Sequence, residues 1–443
     1  MLLAVMSLVG CGGEKKPVAG GNKGNANNGI DAASEEEYFM DMPSELKGTT
    51  VKFATWIDHS QTDTAAVLAG FEQTTGMKYE MVSIPQSEYF TKLAGLIASD
   101  QAPDVVVDNW EFPRSLNCLM PLTVEETGLD VTDPFWNQDL VKVYTVGKYC
   151  YLVNGASSSW DIAGGATYFN KSVLEDNGIK TPTEYVEDNN WNLSTLYTMM
   201  TQVKKSCGFT NAGTAISLDV FTAMHGAREL TWNSETGKFE NTSQSEEMKA
   251  ALKYLLEAQE AGLARVQTGE STGDFATGKG AVELCGAYGL RNKPGWFYEM
   301  DLNDLGVTVL PKINADDADY PYTTFPRAYG ICKGSKNAKG AAYFLRYFLN
   351  DANYDMDAMF KTEECKELYL MLREKSDYNR ITFSRGLYRL HRPEAIGQDH
   401  MQKDALKGTA AQLNVSLASM NAVVEACANT ANQYVADFLS MQE

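Results

Sequence analysis

From residue 49 onward, apolar positions switch between a period near two and a period near three and a half. Thr49 to Ile57, containing TVKFATWI, reads as a strand, Asp63 to Thr75 as a helix and Lys78 to Ile84 as a second strand. After Pro85, Ser87 stands where it can cap a helix whose Tyr89, Leu93, Leu96 and Ile97 share one face. Asp104 to Asp108, DVVVD, is a third strand. This βαβαβ order implies a parallel sheet with right-handed crossovers, and such sheets bind ligands beyond the carboxyl ends of their strands. Those ends carry Trp56-Ile57-Asp58 and Asp108-Asn109-Trp110, which brings two aromatic rings and three polar groups to one rim.

A second α/β block runs from about 160 to 320, with helices near 193–205 and 245–260 and an apolar strand at Ala281 to Cys285. Near 322 the chain returns to the first block. A strong helix at 338–349 follows, where Ala341, Phe344, Leu345, Phe348 and Leu349 keep helical spacing. Leu417, Met420, Val424, Cys427, Ala431, Val435 and Phe438 predict a long helix or two over 411–440.

Composition adds limits to this pattern. At 443 residues the chain exceeds one ordinary core and suits two lobes. With 58 Asp and Glu against 38 Lys and Arg, its net charge of −20 repels a phosphate backbone, so nucleic acid is excluded as a partner. The opening run Met1 to Gly10 is apolar yet far shorter than the roughly 20 residues of a membrane span, and it reads as a signal-peptide core. The basic start such a core carries is absent, which points to a true start further upstream.

Leu8-Val9-Gly10-Cys11 resembles the lipobox of bacterial lipoproteins, which implies a diacylglyceryl group on the Cys11 thiol. An ordinary secretory leader with an incidental cysteine is the alternative. Residues 12–34 contain no aromatic residue and are rich in Gly and Asn, as a flexible tether is. The seven other cysteines, Cys118, Cys150, Cys207, Cys285, Cys332, Cys365 and Cys427, show no C-x-x-C pair. Neither a zinc site nor a disulfide framework is indicated, and buried thiols are expected.

Local patterns in order then carry a family resemblance over roughly 48–443. They are Trp56 and Asp58; Pro103-Asp104-Val105-Val106; Tyr168-Phe169-Asn170-Lys171 with Asn177-Gly178-Ile179; Asn190-Trp191; Gly278-Lys279-Gly280-Ala281 with Gly286; and Ser335-Lys336-Asn337 before Ala341, Phe344 and Phe348. The chain resembles the family 1 extracellular solute-binding proteins, the group that includes maltose-binding protein. That resemblance implies an α/β fold of two lobes, each a mostly parallel sheet flanked by helices, closing on a ligand held in the cleft between them. It further implies delivery to the transmembrane subunits of an ABC permease by a monomer without cofactor, metal or catalytic residue, lipid-anchored on the extracytoplasmic face of the cell membrane. Under it, residues 1–11 are the signal peptide and 12–47 the tether. Lobe 1 comprises 48–158 with 322–365, and lobe 2 comprises 159–321 with 366–443. Ala287 stands where the family commonly has proline, and Arg327 near the second crossing where smaller residues are frequent.

A sugar has apolar ring faces and hydroxyl edges, so its pocket wants flat aromatic side chains ringed by carboxylates and amides. Trp56, Trp110, Tyr288 and Trp296 are the stacking candidates, and Asp58, Asp108 and Asn109 the hydrogen-bonding ones. Trp160 joins them because 155–165, GASSSWDIAGG, looks like a crossing segment. Trp191, at a helix start beside Asn192, reads instead as a structural staple. Residues 366–392 carry seven basic side chains, which either pair with the acidic surface or, with Arg327, face an anionic sugar.

Three near-matches are set aside. Gly273 to Gly280 approaches a phosphate-binding loop but ends in Gly280 where Ser or Thr must hold Mg²⁺. Asp351-x-Asn353-x-Asp355 lacks the Gly and the closing Glu of a calcium loop. The four histidines show no metal-ligand spacing. A secreted glycoside hydrolase remains the rival class, since a chain with this many acids always offers some carboxylate pair. A surface adhesin is a third, and a non-sugar solute is the other alternative ligand.

Overall fold

The computed structural model describes residues 32–376 apart from 63, 109–111, 113, 159–163, 228–229, 234–237, 243, 268–272, 293–296, 298–299 and 325–326. Two sheets organise it. In the first, β1 (Thr50–Thr55), β2 (Lys78–Ser83) and β3 (Val105–Val107) run parallel, with β1 between the other two. A short hairpin of β4 (Thr145–Val146) and β5 (Tyr149–Cys150) precedes the second sheet. That sheet contains β6 (Gly165–Asn170) and β7 (Thr214–Ser217). A second hairpin, β8 (Leu230–Asn233) with β9 (Lys238–Asn241), leads on to β10 (Arg265–Gln267), β11 (Val282–Gly286) and β12 (Leu305–Thr308). The chain then returns as β13 (Tyr329–Ile331), giving strand orders β13-β3-β1-β2 and β10-β7-β11-β6-β12.

Each sheet has one strand that opposes the rest. β13 is antiparallel to β3, and β6 is antiparallel to both β11 and β12. Both of these strands are entered from a segment that crosses between lobes, so they start at the interlobe end where the parallel strands finish. β3, Val105-Val106-Val107, is buried throughout, as a strand covered on both faces must be, whereas the edge strand β2 stays partly open along its length.

The helices follow their sequence spacing. Thr64–Thr75 buries Val67, Leu68 and Phe71. Ala338–Phe348 starts where the Asn337 side chain accepts from Gly340 N at 3.2 Å, and it buries Ala341, Phe344, Leu345 and Phe348. Leu193–Cys207 opens on a capping box between Asn192 and Thr195. Trp191 just before it is fully buried and donates from Nε1 to Val309 O at 3.0 Å, which is a structural role. After Pro85 the chain tightens into a 3-10 turn, Gln86–Glu88, so Glu88 stands directly before the helix Tyr89–Ala98, and its side chain makes no capping bond. The helices expected over 411–440 lie outside the described residues.

Two hydrophobic cores form. One gathers residues from Met42 to Val153 and from Ala328 to Leu349, and the other runs mainly from Ala166 to Leu310 and from Tyr354 to Leu372. The chain therefore passes between cores three times, around 154–165, 311–327 and 350–353. Residues 32–46, the end of the stretch 12–47 assigned to the tether, are docked on the first core. Ala32–Met40 is a helix, Arg346 bonds both Glu35 and Asp133 at 2.5 Å, Tyr38 packs on Tyr343, and Met42 and Leu46 are buried. Among the described residues the six cysteines are free thiols, all buried except the half-buried Cys207.

Candidate ligand-binding cleft

The carboxyl end of β1 turns sharply. Thr55 Oγ1 accepts from Ile57 N at 3.1 Å, and Asp58 then caps the 3-10 turn His59–Gln61 by accepting from Ser60 N at 3.1 Å. The turn leaves Trp56 half-buried and Asp58 exposed at the rim, and it sends His59 inward. Tyr89 fixes this end relative to β3: its hydroxyl donates to Ala54 O at 2.7 Å and accepts from Val107 N at 3.2 Å. Its ring also meets Trp56 edge-on, with centroids 5.2 Å apart.

Asp108, buried at the end of β3, donates its backbone N–H to Ala328 O at 2.8 Å. That bond brings the second crossing to the same rim, where the Arg327 guanidinium sits over the Trp56 ring at 5.2 Å from its centroid. Four of the residues singled out from the sequence, Trp56, Asp58, Asp108 and Arg327, thus share one end of the first sheet.

His59, which the sequence did not flag, lies beneath them. Its ring stacks on Phe53, centroids 5.5 Å apart, and its Nδ1 is 3.0 Å from Thr64 Oγ1. Burial, then the positive charges of Arg327 and Arg291, push its pKa down from 6.5 to about 3, so it is neutral at ordinary pH. Arg291 belongs to the other lobe, so charge from both lobes acts on His59.

In the second lobe the corresponding end of β11 runs into a 3-10 turn, Ala287–Leu290, which holds Tyr288 half-buried, followed by the fully buried Arg291. This turn is held on three sides. Tyr168 donates from its hydroxyl to Gly286 O at 2.9 Å, Ala287 N donates to Gly164 O at 2.7 Å, and Lys361 Nζ donates to Gly289 O at 3.0 Å and to Arg291 O. Burial lowers the Lys361 pKa to about 8. No local periodicity marks His59, Tyr89 or Arg291 as rim residues; only the tertiary meeting of β1, β3 and β11 does. Asn109, Trp110, Trp160, Trp296 and Cys11 lie outside the described residues.

The crossing segments are bound side by side. Val153 and Tyr329 exchange backbone bonds of 2.8 and 2.9 Å, Asn154 Nδ2 donates to Arg327 O at 2.8 Å, and Gly165 N donates to Thr323 Oγ1 at 2.7 Å. Gly164 allows that approach, because a Cβ there would collide with the Thr323 carbonyl.

The remaining motifs have structural roles. Gly273–Ala276 is a helical turn whose Phe275 is buried in the second core. Asp351 pairs with Arg373, Asp355 caps the turn Met356–Met359, and Asp357 pairs with Lys366. Within the basic stretch, Lys366 and Arg373 are therefore engaged with acids, while Arg380, Arg385, Arg389 and Arg392 lie outside the described residues. Among the described residues no group of three or more His, Cys, Asp or Glu could hold a metal ion, and no helix is long and apolar enough to cross a membrane.

Residues 54–355 match the family model described as bacterial extracellular solute-binding protein. No curated protein matches the sequence. Solved structures share the fold across nearly their whole length. The GacH receptor of Streptomyces glaucescens, described unliganded and with acarbose, is 18% identical with a TM-score of 0.59, covering 87% of this chain and 97% of its own. The cyclic alpha-maltosyl-1,6-maltose binding protein of Arthrobacter globiformis is 15% identical with a TM-score of 0.60, covering 88% and 99%. The galacto-N-biose-/lacto-N-biose I-binding protein of Bifidobacterium longum is 13% identical with a TM-score of 0.63, covering 89% and 98%.

Proposed function

Since the chain belongs to the bacterial extracellular solute-binding protein family, we propose that it captures a sugar or oligosaccharide between its lobes and hands it to the transmembrane subunits of an ABC importer. The observation that carries this reading is the shared rim of Trp56, Asp58, Asp108 and Arg327 at the end of the first sheet, with Tyr288 at the matching end of the second. Flat rings beside carboxylates suit a ligand with apolar faces and hydroxyl edges. The similar structures named for acarbose, a cyclic maltosaccharide and lacto-N-biose support the same class of ligand. Trp110, Asn109, Trp160 and Trp296 complete the proposed wall of the cleft. In this role the protein binds and releases its ligand unchanged, and it works as a monomer without cofactor.

Cys11 carries the proposed diacylglyceryl anchor, which holds the receptor at the extracytoplasmic face of the membrane beside its permease. Two acyl chains meet the requirement for stable attachment that one chain alone does not. Cys11→Ala should then release the protein from the membrane fraction into the medium. Retention of that variant in membranes would remove the anchor from this account.

A second reading, an anionic sugar, draws on the guanidiniums of Arg327 and Arg291, both close enough to depress His59. Titrating the soluble protein from residue 32 with neutral oligosaccharides, uronates, peptides and polyamines separates the possibilities. Tight binding confined to uronates favours the second reading, and binding confined to peptides or polyamines overturns both.

A further inference from the structure

Arg373 lies near the end of the helix Glu363–Glu374, which packs in the second core through Cys365, Leu368, Tyr369 and Leu372. Its side chain leaves that core. Nη1 donates to Ser157 O at 2.9 Å and to Asp351 Oδ2 at 2.9 Å. Ser157 belongs to the first crossing segment and Asp351 to the third, so one guanidinium of the second lobe holds two of the three connections at once. Two residues further on, Lys375 Nζ donates to the hydroxyl of Tyr322, within the second crossing, at 3.2 Å and lies 4.9 Å from its ring centroid. The end of a single helix therefore touches all three strands of chain about which the lobes must rotate.

We infer that Arg373 is a hinge clamp: a positioning residue that touches no ligand yet sets the balance between lobe arrangements, and through it the affinity of the cleft. The pair is well placed for this. The Arg373 and Asp351 side chains are only 21% and 16% exposed, so solvent screens them less than a surface pair. Both bonds leave one nitrogen, Nη1, whose two hydrogens are fixed in the rigid guanidinium plane, whereas the hydrogens of a lysine ammonium turn freely at the end of a flexible stem. Rotation of the second lobe against the first carries helix Glu363–Glu374 away from Ser157 or Asp351, and the two bonds cannot both persist. The clamp favours the lobe arrangement in which Arg373 reaches both Ser157 and Asp351, and loosening it lowers the populated fraction of that arrangement. Apparent affinity falls by the same fraction. The inference rests on the reading of 154–165, 311–327 and 350–353 as the axis of closure over a sugar site.

The test uses the soluble protein from residue 32 with Arg373→Met, Arg373→Lys and Asp351→Asn, read by X-ray scattering without ligand and by calorimetric titration with the sugars that the wild type binds. Arg373→Met should give a larger unliganded radius of gyration than wild type, a ligand-bound curve equal to that of wild type, and an apparent Kd about three- to tenfold higher for each sugar with their rank unchanged. Arg373→Lys should fall between, and Asp351→Asn should shift in the same direction, so a misfolded Arg373→Met does not remove the test. Identical unliganded scattering in a folded variant overturns the clamp, as does an altered sugar rank. If no sugar binds the wild type, the scattering comparison still decides the clamp while the sugar reading alone fails.

Discussion

The guanidinium of Arg327 lies over the face of Trp56, 5.2 Å from the ring centroid, while Tyr89 meets the same indole edge-on. The second crossing is thereby bonded to the end of β1, and one face of the ring is set before any ligand arrives. A planar cation over an aromatic ring contributes roughly 0.5–2 kcal/mol, depending on how far water is excluded. Arg327→Leu should weaken sugar binding about three- to thirtyfold in calorimetric titration. Arg327→Lys should recover only part of that loss, because an ammonium cannot stack flat. An unchanged affinity in Arg327→Leu would separate this contact from the binding site.

Acid should weaken the fold through His59. Burial and the charges of Arg327 and Arg291 depress its folded pKa to about 3, whereas the unfolded chain takes up the proton near 6.5. Between those values the unfolded state binds more protons, so the stability is full above about pH 6.5 and is lost as pH falls toward 3. The change amounts to a few kcal/mol, on the order of 1.4 kcal/mol per pH unit of displacement. Denaturant unfolding of His59→Gln between pH 3.5 and 7 should give a shallower acid limb than wild type. Parallel limbs would show that another group controls that range.

Arg346 holds the amino-terminal helix. Its side chain, 7% exposed, bonds both Glu35 and Asp133 at 2.5 Å and stacks on Tyr38 and Phe135. Removing one member of a buried ion cluster leaves the others uncompensated, at a cost of about 3–5 kcal/mol. Arg346→Met should lower stability by that order and open residues 32–46 to limited proteolysis, with ligand affinity unchanged. Continued protection of that segment would mean that its apolar contacts suffice.

Two glycines should respond in opposite directions to the same substitution. Gly164→Ala pushes a methyl against the Thr323 carbonyl between two crossing segments, where overpacking costs roughly 1–3 kcal/mol. Gly95→Ala lies in the helix Tyr89–Ala98 with nothing beyond its own stretch of helix within 4 Å of the new carbon, and it should add up to about 1 kcal/mol. Thermal unfolding of the two variants checks both signs.

The sheet and helix pattern was legible because it is local. β1, β3 and the helices Thr64–Thr75 and Ala338–Phe348 start and stop within a residue or two of where their apolar spacing points. Trp56 and Asp58 were legible as rim residues for the same reason, since a parallel strand delivers whatever follows it to one edge. His59 and Arg291 were not, because their roles arise where two separately folded lobes meet. The amino-terminal helix shows the limit most clearly. It falls in the stretch 12–47 assigned to the tether, and the partner that buries Glu35 stands 311 residues away. The tight turn after Pro85 was likewise not legible, and it carries the helix start to Tyr89.

The account stands most directly on calorimetric titration of the soluble protein from residue 32, and of its Trp56→Ala variant, with a panel of neutral oligosaccharides. It predicts at least one saccharide bound at about micromolar affinity, or near 8 kcal/mol. It also predicts a loss of about tenfold or more in Trp56→Ala, as expected for removing a stacking aromatic. Binding of no saccharide, or saccharide binding indifferent to Trp56, would contradict it.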